Sequence, residues 1–149
     1  MALRRVVVCP VLMLAAGCAL LAYLRDPAWL IDVTAGLRPP QMDASGRRFR
    51  WSGGHASLFV PSNARLVSIP LRAAFDAPAD PPVTVTITID DRLADRLVLR
   101  DPEWRVSTIR LPPPGSRRVR RVDIRVDRTR EDNYGVAVGD VTTTGRPAP

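Results

Sequence analysis

The chain has 149 residues and a net charge of +7, and all 22 of its basic residues are Arg. Its two cysteines, Cys9 and Cys18, both precede residue 25, which excludes a disulfide-stapled fold for everything that follows. With a single histidine and no later cysteine, a zinc-type centre is also excluded there, while roughly 100 residues remain to bury one hydrophobic core.

An apolar run without a charged residue extends from Val6 to Leu24, directly after Arg4 and Arg5. A helix of this length measures roughly 28 Å, close to the thickness of the hydrocarbon core of a bilayer. The preceding arginines favour a cytoplasmic amino terminus under the positive-inside rule. The run therefore predicts a signal anchor or transmembrane helix over residues 1–24. It also predicts a single-pass protein of the bacterial cell membrane, with an extracytoplasmic (periplasmic) carboxy-terminal domain.

Two other interpretations of this run stay open. The segment Leu14–Cys18 resembles a bacterial lipobox, which predicts lipidation of Cys18, although Ala15 stands where a larger aliphatic residue is usual. Small residues at Gly17 and Ala19 also match the cleavage site of a secretory signal, but cleavage there leaves an apolar new terminus. A buried globular helix is disfavoured, because no later segment has the helical period that a partner helix needs.

Residues 25–46 are predicted to form a linker, because Asp26-Pro27 and Pro39-Pro40 interrupt regular structure. From residue 47 onward the sequence alternates with a period of two, which is typical of β-strands. The clearest strand is Val83–Ile89, with Val and Ile on one face and Thr on the other. Predicted strands cover residues 48–51, 56–60, 66–71, 83–89, 93–99, 104–111, 122–126 and 136–142.

Short strands with regularly spaced turn signals predict an all-β fold, an antiparallel β-sandwich (jelly roll) of about eight strands over residues 47–142. One N-terminal hydrophobic helix precedes it, and residues 143–149 are predicted to be a disordered tail. We expect Ile87 and Ile124 in the core. Pro70 falls inside a strand pattern, which predicts an edge strand or a bulge there.

The order of these elements resembles a small jelly-roll domain of the carbohydrate-binding-module type. Such domains occur in bacterial envelope proteins and as the extracytoplasmic tails of some membrane glycosyltransferases. The multi-span catalytic portion of those transferases has no counterpart in these 149 residues, so no transferase activity is expected. The pieces that carry the resemblance are strand patterns, namely Phe49–Trp51, Ala56–Pro61, Val83–Leu97, Trp104–Pro112 and Val122–Val138.

Two aromatic residues, Trp104 and Tyr134, are the candidate ligand-binding aromatics. An exposed ring can stack on a sugar ring, whereas a buried ring fills the core. Trp104 begins a strand, and Tyr134 lies in a turn before Gly135. Trp51 shares one face of a predicted strand with Phe49 and is therefore predicted to lie in the core.

The densest basic segment is a second candidate binding site. It extends from Arg117 to Arg130, and its candidate ligand contacts are Arg118, Arg120, Arg121 and Arg125. Guanidinium groups pair bidentately with carboxylates and phosphates, so this patch suits an anionic polymer; its other interpretation is the solvated face of a strand. The predicted partners are the membrane through the N-terminal helix, a polysaccharide or anionic envelope polymer, and an envelope protein, but no nucleic acid.

Catalytic chemistry is not expected. His55 follows Gly53-Gly54 in a turn, and Ser52, His55 and Ser57 do not predict a triad from sequence alone. The pairs Asp90-Asp91 and Glu131-Asp132 favour solvated turns over a Ca²⁺ site, which needs six or more oxygen ligands. No cofactor and no metal are predicted. The sequence indicates a non-enzymatic accessory domain that binds envelope polysaccharide or glycan; the alternative is a structural or protein-interaction module of the cell envelope.

Overall fold

The computed structural model describes residues 12–21, 23, 26–74, 81–130 and 132–145. A short 3₁₀ helix, Ala28–Asp32, precedes the strands. The ten strands of the described chain are β1 (Thr34–Leu37), β2 (Gln41–Met42), β3 (Arg48–Pro61), β4 (Ala64–Ala73), β5 (Val83–Ile89), β6 (Arg92–Leu99), β7 (Arg105–Arg110), β8 (Val119–Val126), β9 (Val136–Gly139) and β10 (Thr142–Gly145).

All of these strands pair in antiparallel fashion, and the long strand β3 belongs to two layers. Its second half, from His55, pairs with β8, which leads to β5 and then β6. We call this layer, which β1 completes through its pairing with β3, the first sheet. The first half of β3 pairs with β9 and β2, β9 leads to β4, and β4 also pairs with β7 and β10. We call this layer the second sheet.

The core lies between the two sheets. Val83, Val85, Ile87 and Ile89 are buried, and the threonines between them are half-buried, so the alternation of β5 places its apolar face inward. Ile87 lies directly opposite Ile124 of β8, and their exposed fractions are 0% and 1%. The predicted core position of both residues is confirmed, as is the antiparallel β-sandwich.

Two short strands lie within the segment that the sequence predicts as a linker. β1 pairs with Ser52, Ser57 and Leu58 of β3, and β2 pairs with Arg48 and Phe49. The backbone N–H of Arg38 also donates to the carbonyl of Trp51, at 2.8 Å. The prolines at 39 and 40 separate β1 from β2. Both strands are too short to be recognised from their own sequence, and they form because they pair with the edge of β3.

The end of the predicted sandwich also differs. The pattern over residues 136–142 predicts one strand, but the chain forms β9 and β10, both paired with β4. Pro70 of β4 lies opposite the gap between them, because β10 pairs as far as Ser68 and β9 begins at Leu71. Proline has no backbone N–H, and the gap between β9 and β10 requires no hydrogen bond from it. Pro70 is therefore tolerated although β4 has partner strands on both sides.

The predicted membrane span requires a correction. Residues 12–21 and 23 are helical, and within the described chain no helix is both long and apolar enough to cross a membrane. A ten-residue helix rises about 15 Å, roughly half of a hydrocarbon core. The predicted single-pass membrane localisation with an extracytoplasmic domain is therefore wrong. The remainder of the predicted anchor, residues 1–11, 22 and 24, lies outside the described residues. Cys18 is exposed with a free thiol, and its lipidation stays a prediction.

Candidate functional site

The two faces of β3 carry different kinds of residue. Leu58 and Val60 lie in the core, and along the same face Arg50 is opposite the core residue Val138. The other face, which includes Phe49 and Trp51, therefore points away from the core over the whole strand. This corrects the predicted core position of Trp51, which is half-buried on the outer face of the second sheet.

Four aromatic side chains form a row on this outer face. Phe49 contacts Trp51 edge-to-face with ring centroids 5.5 Å apart, and Trp104 with centroids 6.1 Å apart. Trp51 in turn contacts Tyr134 at 5.4 Å. The row Trp104–Phe49–Trp51–Tyr134, which we call the aromatic row, thus joins the two predicted aromatic ligand contacts. Three of its rings are half-buried and keep an exposed part, whereas Phe49 is buried.

Small residues of β9 form the floor beneath the aromatic row. Ala137 lies between Trp51 and Arg72 in the strand register and is fully buried, although it does not belong to the core cluster. A Cβ atom on Gly139 would lie 3.0 Å from the Cβ of Pro70 and 3.5 Å from the Trp104 ring. The absence of side-chain bulk at these two positions leaves room for the rings above β9.

Guanidinium groups lie against the rings. Arg72 lies 5.0 Å from the centroid of Trp104, 5.3 Å from that of Phe49 and 6.0 Å from that of Trp51. Arg47 lies 5.0 Å from the Trp104 centroid, and Arg38 lies 4.0 Å from that of Tyr134. The site therefore combines aromatic surface with three cations within cation–π distance of it.

The indole of Trp104 is held by the turn before β3. Its Nε1–H donates to Oδ2 of Asp43 at 3.2 Å, while Oδ1 accepts the Ser45 hydroxyl at 2.6 Å and the N–H groups of Ser45 and Arg47, both at 2.9 Å. The Ser45 hydroxyl contributes most, followed by the Arg47 N–H, and together with the Trp104 indole they lower the pKa of Asp43 from 3.8 to about 2. Asp43 is therefore ionised at neutral pH and fixes the orientation of the indole.

The predicted basic contacts lie elsewhere, on β8 and the segment before it. Arg120 donates to Asp90 at 2.9 Å and to the carbonyl of Pro113 at 2.6 Å, and it lines a cleft of about 480 Å³. Arg121 pairs with Asp91 and, at 2.8 Å, with Asp123. The side chains of Arg118 and Arg125 are exposed. The structure does not bring these four arginines to the aromatic row, and their ligand-binding role stays a prediction.

A Ser–His–Asp cluster occurs on the outer face of the first sheet, but its geometry is not that of a catalytic triad. The Ser57 hydroxyl donates to Oδ1 of Asp123 at 2.5 Å, and His55 Nε2 lies 3.1 Å from the same oxygen. Burial raises the pKa of Asp123, but the hydrogen bonds from Ser57, His55 and Arg121 outweigh it and leave the pKa below its ordinary value. The Ser57 hydroxyl thus donates its hydrogen bond to Asp123, whereas the serine of a triad donates to histidine.

Sequence reasoning missed most members of this site, among them Phe49, Trp51 and the three arginines Arg38, Arg47 and Arg72. Phe49 and Trp51 were visible as an aromatic pair but fitted a core strand equally well. Arg72 carries no local signal, because it follows a run of core residues in β4. The sequence feature that could have indicated the site lies in β9, where the small residues Ala137 and Gly139 alternate with valines. One face of this strand therefore has no large side chains, which leaves space for aromatic rings from neighbouring strands.

Comparison with known proteins gives the fold but no family. No protein-family model matches the chain, and no curated protein sequence is similar to it. A family 35 carbohydrate-binding module from Clostridium thermocellum has a TM-score of 0.50 with 10% identity, covering 76% of this chain and 92% of that one. An acetyl xylan esterase from the rumen bacterium Butyrivibrio proteoclasticus also has a TM-score of 0.50, with 12% identity over 77% of this chain and 30% of that one.

A third similar structure is a catalytic domain with CBM51 domains from Clostridium perfringens ZmpB, with a TM-score of 0.48, 8% identity and 78% of this chain covered. This chain spans 15% of the ZmpB structure and 32% of a family two carbohydrate esterase from Cellvibrio japonicus. At these identities the likeness shows the β-sandwich fold alone. The likeness to glycosyltransferase tails and envelope proteins stays a prediction.

Proposed function

We propose that this domain is a non-enzymatic module that binds glycan chains through the aromatic row. The observation that carries the proposal is the placement of Trp51, Trp104 and Tyr134 side by side on the outer face of a sheet. Aromatic faces suit the apolar faces of sugar rings, and a row of rings suits a chain of them. The shared fold with a carbohydrate-binding module supports this function.

The alternative, a protein-interaction module, is favoured by a continuous exposed aliphatic patch. Three aliphatic residues of the later strands are exposed, with exposed fractions of 68% for Leu93, 50% for Val98 and 56% for Val106. The strand register places Leu93 and Val98 opposite threonines of β5 on the first sheet, whereas Val106 lies opposite Pro70 on the second. Val98 and Val106 line one depression together with Arg100, Asp101 and Arg105, so charged residues interrupt the apolar surface there. This supports glycan binding over docking through one flat apolar face.

Catalysis is not part of the proposal. His55 Nε2 lies 3.4 Å from the Ser57 hydroxyl, but the same nitrogen contacts Oδ1 of Asp123, to which the hydroxyl donates. The histidine therefore does not bridge serine and aspartate through its two ring nitrogens as a triad base does. The aromatic row itself carries arginines and one ionised carboxylate that is already occupied by four donors. Such groups orient and hold a ligand.

The test is a titration of the full chain with soluble xylan, glucan and pectin, followed by calorimetry and by tryptophan fluorescence. Replacing Trp51 or Tyr134 by Ala should weaken binding to the preferred glycan about tenfold or more, as expected for a central aromatic contact. Trp29→Ala is the matched control, because Trp29 is 57% exposed on the 3₁₀ helix and lies outside the row. Equal losses in the Trp29 variant, or no binding to any of the glycans, would contradict the proposal.

A further inference from the structure

Three arginines of β8 and of the segment before it are held in ion pairs. Arg117 pairs with Asp26, Arg120 with Asp90, and Arg121 with both Asp91 and Asp123. The guanidinium of Arg72, in contrast, forms no ion pair or hydrogen bond with another described residue, and the contacts that the structure gives it are the three rings. Its half-burial removes part of its hydration without a counter-ion to replace it.

The charges around Arg72 do not neutralise it. Arg47 shares the Trp104 ring with it, since both guanidinium carbons lie 5.0 Å from that centroid. Arg38 contacts the Tyr134 ring at the other end of the row and donates to the carbonyl of Asp132 at 2.7 Å. The nearby carboxylate of Asp43 is occupied by Ser45, Arg47 N–H and the Trp104 indole. The aromatic row therefore carries three guanidinium groups and one carboxylate, Asp43, whose oxygens are already hydrogen-bonded.

We infer that the ligand of the aromatic row is an acidic saccharide, and that Arg72 binds its carboxylate. This inference rests on the proposed glycan-binding function and specifies its ligand class. A guanidinium that is flanked by rings keeps its N–H donors at its edge, where a planar carboxylate pairs with two of them at once. The rings fix the guanidinium before the ligand arrives, so little side-chain entropy is lost on binding.

The experiment compares two forms of one backbone, polygalacturonate and its fully methyl-esterified form, with the full chain. The acid form should bind at least tenfold more tightly, and raising the salt from about 0.05 to about 0.5 M should weaken that binding because exposed charges are screened. Arg72→Gln should remove the preference for the acid form while binding to the ester persists. Arg72→Lys keeps the charge but not the planar fork and should give an intermediate loss, which also serves if the Gln variant folds poorly.

The matched control is Arg96→Gln, since Arg96 is an exposed arginine of β6 on the first sheet, opposite Thr86, and belongs to neither candidate site. This variant should retain the full preference for the acid form. Equal binding of the acid and ester forms, or tighter binding of dextran sulfate than of polygalacturonate, overturns the inference and leaves the glycan-binding function standing. An acid preference that survives Arg72→Gln but is lost with Arg96→Gln also overturns it. Failure of every glycan to bind overturns the proposed function itself.

Discussion

At the residue scale, Asp43 holds two parts of the molecule together. One of its oxygens caps the turn between β2 and β3, and the other accepts the indole N–H of Trp104, which begins the approach to β7. A single carboxylate therefore links the entry of the long strand β3 to one end of the aromatic row. Because it accepts all of these hydrogen bonds as an anion, its effect depends on pH.

Replacing Asp43 by Asn should change the acid sensitivity of the protein in a defined window. The pKa of Asp43 is about 2 in the folded protein against an ordinary value of 3.8, so its contribution is complete above about pH 4 and is lost as the pH falls toward 2. In the Asn variant this part of the pH dependence should disappear. Thermal midpoints between pH 2 and 6, followed by tryptophan fluorescence, measure it.

The control for this prediction is Asp140→Asn, because Asp140 is exposed and its carboxylate lies 3.9 Å from Arg48 in a pair that is open to solvent. This variant should keep the acid sensitivity of the wild type. Identical midpoint curves for the wild type and the Asp43 variant below pH 4 would contradict the assignment.

At the element scale, β3 passes from the second sheet to the first through Gly53-Gly54. The start of β9 lies close to β3 at this point. The N–H of Gly135 donates to the Ser52 carbonyl at 2.8 Å, and the N–H of Val136 donates to the Ser52 hydroxyl at 3.1 Å. A Cβ on Gly135 would lie 2.4 Å from the Gly53 carbonyl oxygen and 2.7 Å from a methyl group of Val126. The contact is between backbones and leaves no room for a side chain.

Gly135→Ala should therefore destabilise the fold by about 1–3 kcal/mol, because a backbone atom and a half-buried valine must move. Gly54→Ala is the matched control, since a Cβ there would meet Thr129 at an ordinary 3.8 Å and its φ is not in the left-handed region. Free energies of unfolding from urea titrations provide the comparison. Equal losses of unfolding free energy in the two variants would show that the close backbone contact at Gly135 is not what destabilises the Ala variant.

Strand prediction succeeded where one strand face is apolar and the other polar. β5 has this pattern, and its apolar face is the buried one. In the first half of β3 the pattern is reversed: the inner face carries Arg50 and Ser52, and the outer face carries Phe49 and Trp51. Arg50 is satisfied by the carbonyl of Arg38 at 2.8 Å and the hydroxyl of Thr34 at 2.9 Å, partners that only the folded chain brings to it.

At the scale of the whole molecule, the two outer faces have different chemistry. The first sheet carries arginines of β8 that are neutralised by Asp90, Asp91 and Asp123. The second sheet carries the aromatic row with Arg38, Arg47 and Arg72 against its rings. Arg38, Arg47 and Arg72 form no ion pair with a described residue, and their position against the rings favours the second sheet for the inferred anionic ligand.

Because β3 contributes hydrogen bonds to both sheets, we expect them to unfold together. Thermal unfolding that is followed by far-ultraviolet circular dichroism reports all strands. Tryptophan fluorescence reports the second sheet through Trp51 and Trp104, with a further contribution from the exposed Trp29 that the Trp29→Ala variant removes. The two midpoints should coincide in the wild type. A fluorescence transition that precedes the dichroism transition by several degrees would indicate that the second sheet unfolds on its own.

The sequence by itself determined the all-β class, the bounds of strands such as β5, and the core positions of Ile87 and Ile124, because alternation reports which residues share a face. It does not report which of the two faces is turned inward. For the first half of β3 that choice belongs to β9 and β4, whose Val138 and Leu71 lie on the Arg50 side and leave the aromatic side to the surface. Trp104 and Tyr134 are distant in the chain, and only long-range strand pairing joins them into one row through Phe49 and Trp51.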